Sequence, residues 1–94
     1  MAFYVYIIQS EVDESFYKGF SEDPLKRLLQ HNAGETSSTR YLAPWKLVYV
    51  EQMASKKDAL IREKSLKKAT RERIHALLTH SKNIVTQFMG EADR

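Results

Sequence analysis

The first apolar run, Phe3 to Gln9, sorts its side chains into two alternating sets: Tyr4, Tyr6 and Ile8 on one face of an extended chain, Phe3, Val5 and Ile7 on the other. Both sets are apolar or aromatic, so the run predicts a strand buried on both sides. Ser10 to Glu14 predicts a polar turn. Ser15 to Phe20 returns as a second strand and closes a β-hairpin, with Tyr17 and Gly19 on one face and Phe16, Lys18 and Phe20 on the other. Beyond it the period lengthens. Asp23 can cap a helix start and Pro24 suits its first turn, while Leu25, Leu28 and Leu29 form the apolar stripe of a helix to about Asn32, ended by Asn32-Ala33-Gly34. A polar loop, Glu35 to Pro44, leads to a third strand, Trp45 to Met53. Ser55 opens a second helix in capping-box style, running to about Lys68. Thr70 caps a third helix bearing Ile74, Leu77 and Leu78, and Ser81 starts a short fourth carrying Ile84, Val85, Phe88 and Met89. The order β-β-α-β-α-α predicts an α+β fold, a small three-stranded antiparallel or mixed sheet (the hairpin plus one strand) flanked by helices.

A chain of 94 residues with little glycine or proline reads as one domain over residues 1–89, with Gly90 to Arg94 as a frayed tail. The absence of cysteine excludes disulfides and thiolate metal sites, and it fits a reducing cytosol. No apolar run has the length to cross a bilayer, and Met1 to Ile8 lacks the basic region and cleavage site of a signal peptide; the expectation is a cytoplasmic protein without a membrane partner. The net charge is only +3, but Lys64, Lys67, Lys68, Arg71 and Arg73 crowd into one stretch, with Lys26, Arg27, Arg40 and Lys46 elsewhere. By itself such a run is a solvated helix face. There is no Gly-rich phosphate loop, no His-Glu-x-x-His and no Ser-centred nucleophile elbow, which excludes the common nucleotide-binding and hydrolase motifs.

Three sets of residues are able to carry chemistry. Tyr6 and Tyr17 sit on the two hairpin strands and converge if they share a face; taken alone they read as cross-strand aromatic packing. Arg27 and His31 are one helical turn apart, off the Leu25/Leu28/Leu29 stripe. Periodicity makes them two solvated polar residues; chemistry would make them a phosphate clamp with an imidazole beside it. Glu63 falls between Ala59, Leu60 and Leu66, within an apolar stripe where a carboxylate needs a partner. That partner is either Lys67, four residues on, or a divalent cation.

The order of these residues along the chain resembles the GIY-YIG endonuclease superfamily: Tyr4-Val5-Tyr6, a short turn, Tyr17-Lys18-Gly19, then Arg27, His31 with Asn32, and finally Glu63. The phrases Leu25-Lys26-Arg27-Leu28, Gln30-His31-Asn32, Pro44-Trp45-Lys46-Leu47-Val48-Tyr49 and Arg62-Glu63-Lys64 are similar to those of small stand-alone bacterial members likened to the N-terminal nuclease domain of the bacterial excinuclease. The match spans about Phe3 to Arg73. Tyr4 stands for the leading glycine of the first motif and Lys18 for the central isoleucine of the second. Phe20 occupies a position where some members place a lysine, and the late asparagine of other branches has no evident counterpart, Asn83 being only a loose candidate.

The resemblance implies a metal-dependent endonuclease acting on DNA, with a role in repair or recombination. It implies Tyr6, Tyr17, Arg27, His31 and Glu63 as catalytic residues and Glu63 as the ligand of Mg²⁺ or Mn²⁺. Nearby cations would lower the Tyr6 pKa so that it helps deprotonate water. Arg40, Lys46, Lys64, Lys67, Lys68, Arg71 and Arg73 become candidate DNA contacts. Relatives often rely on a partner protein for DNA specificity, and the chain is expected to be a monomer or weak dimer, the apolar Ile84-Val85-Phe88-Met89 covering either a core edge or a dimer contact. The rival class is a non-catalytic nucleic-acid-binding or assembly module that keeps the fold and uses the basic stretch alone.

Overall fold

The computed structural model describes residues 2–92, with the backbone alone over 89–92. Strand β1 (Phe3–Ser10) lies between β2 (Phe16–Ser21) and β3 (Trp45–Met53) in one fully antiparallel sheet of order β2-β1-β3. The central position of β1 follows from its composition, since only a strand covered on both faces can bury Val5, Tyr6, Ile7 and Ile8 together. Helix α1 (Pro24–Asn32) follows the hairpin, while α2 (Lys56–Lys67), α3 (Arg71–Leu78) and α4 (Val85–Ala92) follow β3. The α+β architecture and the element order are those expected. The long loop also contains one turn of 3-10 helix, Arg40–Leu42, that the polar pattern hides.

The two faces carry separate cores. On one, Val5, Ile7 and Tyr49 pack against Ala59 and Leu66 of α2 and Ile74 and Leu77 of α3, with Phe16 and Phe20 at the margin. On the other, Tyr6, Ile8, Trp45, Leu47 and Val50 pack against Leu25 and Leu28 of α1 and Ile84, Val85 and Phe88 near α4. A bulge opposite the Ile7/Ile8 step lets Leu47 pair with Ile8 and Tyr49 with Ile7, so Leu47 and Val50 reach the same face although three residues apart.

The caps of the first three helices fall where the sequence places them, whereas the fourth helix starts at Val85 and not at Ser81, because the Asn83 side chain accepts the Val85 N–H. Asp23 accepts from the Lys26 N–H, Ser55 from Asp58 and Thr70 from Arg73. The tail expected from Gly90 is instead helical to Ala92; Asp93, Arg94 and the Met89 side chain lie outside the described residues. The fourth apolar segment covers a core edge: Phe88 meets the Tyr4 ring edge-on at 5.1 Å between centroids.

Candidate active site

In the hairpin register Tyr6 faces Gly19 and Ile8 faces Tyr17, so both tyrosines project from the α1 side of the sheet. The Tyr6 ring leans from β1 across β2. A Cβ built on Gly19 would lie 2.6 Å from the Tyr6 hydroxyl oxygen and 2.7 Å from Cζ. Real Cβ atoms never approach so closely, so the glycine that follows Tyr17-Lys18 is the space through which Tyr6 passes.

Helix α1 packs Leu25 and Leu28 against the core as expected but departs from the pattern at two positions. Leu29, assigned to the apolar stripe, is 70% exposed, whereas His31, expected to be solvated, is fully buried. His31 reaches the sheet because both ring nitrogens are satisfied there. Nε2 bonds the Tyr6 hydroxyl at 2.9 Å, and Nδ1 bonds the Thr39 hydroxyl at 2.8 Å. The Tyr17 ring stands edge-on to the imidazole, 5.0 Å between centroids, and to the Trp45 indole. Arg27, one turn earlier, is half-buried, and its Nη1 donates to Gln30 Oε1, which braces one arm of the guanidinium.

Burial pushes the Tyr6 phenol above its usual pKa; Arg27 pulls the other way, and Tyr17 and Glu63 add smaller upward pushes. As far as the chain's own charges go, the expectation that nearby cations lower the Tyr6 pKa is corrected: desolvation outweighs Arg27, and the phenol's pKa is raised. For His31, burial and then the Arg27 charge hold the imidazole down at about 4, so the ring is neutral at neutral pH.

Glu63 comes to this neighbourhood from the far side of the sheet. The inner face of α2 is Ala59, Arg62, Glu63 and Leu66, while Leu60, expected on the stripe, is 43% exposed. Arg62 and Glu63 lie roughly 100° apart around the helix and flank the Ala59/Leu66 line on opposite sides. Arg62 turns toward β3, where its Nε donates to Glu51 at 3.1 Å; the same carboxylate oxygen accepts from the Tyr49 hydroxyl at 2.6 Å. Burial, with Glu51 beside it, pushes Tyr49 up to about 12, so it stays a donor. Glu63 lies on the opposite flank from Arg62, and its charge is felt at the Tyr6 phenol. Its carboxylate lies 3.8 Å from Lys67 Nζ, the partner the helical spacing offers. Among the described residues no three His, Asp or Glu side chains form a preassembled metal cage.

Other candidates have different roles. Arg71 already has an intramolecular role: its guanidinium covers the Phe16 ring at 4.9 Å and donates to the Glu14 carbonyl, tying α3 to the hairpin turn. Arg40 Nε donates to the Gly34 carbonyl, and Lys46, Lys64, Lys68 and Arg73 are exposed. Asn83 has a structural role. It accepts from the Val50 and Val85 N–H groups and donates to the Val48 and Leu78 carbonyls, clamping the α4 approach to β3. Asn32 clamps the other end, accepting the Trp45 N–H and donating to its carbonyl. Sequence reasoning missed Gln30 and Thr39, since neither lies on a periodic face that marks it.

Residues 2–75 match the GIY-YIG catalytic domain. The chain is 39% identical over 82 residues to a UPF0213 protein of Haloquadratum walsbyi, covering 86% of this chain and 91% of that one. A UPF0213 protein of Streptococcus pneumoniae is 33% identical over 90% of this chain and 88% of its own. The solution NMR structure of a UPF0213 protein from Bacillus halodurans superposes with a TM-score of 0.56 at 29% identity, covering 90% of each chain. The family match over most of the chain, together with a relative 39% identical across nearly its whole length, shows that the chain belongs to the GIY-YIG family.

Proposed function

We propose that this chain is a divalent-metal-dependent endonuclease that hydrolyses DNA phosphodiester bonds, in a repair or recombination setting where a partner protein supplies DNA specificity. The observation that carries the reading is the buried Tyr6–His31 hydrogen bond, whose phenol end also feels Arg27, Tyr17 and Glu63. A core that needed only packing would place a phenylalanine at Tyr6 and a leucine at His31.

Each residue has a role its environment suits. The neutral imidazole can accept the Tyr6 proton while the Tyr6 oxygen takes one from the attacking water, so the phenol relays the proton without first ionising. Arg27 keeps guanidinium donors beyond its Gln30 contact to bind the charge that grows on the phosphoryl oxygens; one such donor is typically worth about 3–4 kcal/mol in the transition state. Tyr17 orients the water or a phosphate oxygen. Glu63 fits Mg²⁺ or Mn²⁺, hard cations often held by one or two carboxylates with water and phosphate completing the shell, and its contact with exposed Lys67 is long enough to yield. When bound, the ion would supply Lewis-acid stabilisation of the phosphoryl charge.

The same Glu63–Lys67 contact favours the second reading, a DNA-binding module without chemistry. Glu63→Gln separates the two. It should abolish Mg²⁺-dependent nicking of plasmid and branched DNA while the melting temperature stays close to wild type. Full nicking in the variant returns Glu63 to a structural role, and no nicking by the wild type with any divalent metal, alongside DNA binding, establishes the module.

A further inference from the structure

The Tyr6–His31 bond does not end at the histidine. His31 Nδ1 meets the Thr39 hydroxyl at 2.8 Å, and that hydroxyl faces the Thr36 carbonyl at 3.4 Å. Thr39 is 1% exposed, in the middle of the loop that composition marks only as polar. Its backbone is held from two sides, by the Trp45 indole N–H on its carbonyl at 2.9 Å and by its own N–H on Thr36. Trp45 is in turn fixed by Asn32, the residue after His31.

The direction of this chain follows from its ends. The Tyr6 hydroxyl has one proton to give, and the arginine beside it only donates. Among the described residues the acceptor that Tyr6 meets is His31 Nε2. That nitrogen must then carry a lone pair, which in a neutral ring puts the proton on Nδ1. Nδ1–H donates to Thr39 Oγ1, whose own proton turns to the Thr36 carbonyl. The opposite sense would have Thr39 donate to Nδ1 and Nε2–H donate to Tyr6, leaving the phenolic proton without an acceptor among the described residues.

We propose that Thr39 is a positioning residue: by accepting the His31 Nδ1–H it fixes the imidazole tautomer whose Nε2 lone pair faces Tyr6, so the phenolic proton points inward and the oxygen lone pairs point out to the site. The consequence for cleavage rests on the nuclease reading above; the tautomer does not.

The test uses the full chain and two substitutions. Long-range proton–nitrogen NMR correlations on the wild type at neutral pH should report His31 protonated on Nδ1 and unprotonated on Nε2. Thr39→Val keeps the shape and removes the acceptor. It should shift the ring toward the Nε2–H tautomer and slow single-turnover nicking by about 100-fold, the scale of a proton-transfer contribution. Thr39→Ser restores the hydroxyl and should restore both readouts. An Nε2–H tautomer in the wild type overturns the proposal, as does a valine variant whose tautomer and rate match the wild type. If valine at this position prevents folding, the wild-type tautomer and the serine rescue decide. If no form of the protein nicks DNA, the nuclease reading fails while the nitrogen spectra still decide the role of Thr39.

Discussion

Holding His31 neutral inside the protein must make folding sensitive to mild acid. The ring is fully buried, and burial with the Arg27 charge lowers its pKa from 6.5 to about 4. In the unfolded chain it titrates normally, so between these values the unfolded state binds a proton that the folded state refuses. The stability contribution is therefore complete above the unfolded pKa and is lost as pH falls from about 6.5 toward 4. The full shift corresponds to about 3 kcal/mol, and between pH 7 and pH 5 the loss integrates to about 2 kcal/mol. Small domains have only about 5–15 kcal/mol in total, so the effect is readily measured. Urea unfolding at pH 7, 6 and 5 on the wild type and on His31→Gln isolates it, because glutamine can meet Tyr6 but does not titrate. The level of stability in the variant is immaterial; the slope is what matters. Wild-type stability should fall about 2 kcal/mol further than the variant's over that range. Equal slopes, or an NMR titration in which the His31 ring charges with a midpoint near 6.5, would refute the reasoning.

Gly19→Ala should displace the Tyr6 ring, because the added methyl lies within 3 Å of three Tyr6 atoms in a closed core. The expected outcome is a loss of about 1–3 kcal/mol in urea unfolding, with disappearance of the Tyr6–His31 bond from the NMR spectrum. Within the basic stretch, Lys64→Gln with Lys68→Gln should weaken DNA binding across sequences and flatten its salt dependence by about one unit for each phosphate-binding lysine removed. Arg71→Ala should leave that slope unchanged and instead cost about 0.5–1 kcal/mol of stability, since Arg71 is committed to Phe16 and the hairpin turn.

The architecture was legible because each element follows a rule about burial. The double-sided apolarity of Phe3–Gln9 identifies the central strand, and Asp23-Pro24, Ser55 and Thr70 mark three helix starts that the caps reproduce. The β3 bulge was not legible, since nothing in Leu47-Val48-Tyr49-Val50 says which valine is skipped. Nor was the turn at Arg40–Leu42, which a loop of polar and small residues conceals.

The site failed to show in the periodicity for the opposite reason: here the burial rule is reversed. A pattern that assigns apolar residues to the inside places Leu29 within and His31 outside, and both assignments are inverted. Burying an imidazole instead of a leucine forfeits apolar contact and requires two hydrogen-bond partners at fixed positions, one from the hairpin and one from the loop. The partners lie 25 and 8 residues away, a separation no local pattern encodes. Glu63 was the exception because a carboxylate on an otherwise apolar stripe is visible as an anomaly, and even there the stripe had to be redrawn with Arg62 in place of Leu60. The redrawn face splits the pair Arg62-Glu63. Arg62 is tied to Glu51 on one flank of the Ala59/Leu66 line, and Glu63, one residue further round the helix, lies on the other flank, from which its charge is felt at the Tyr6 phenol.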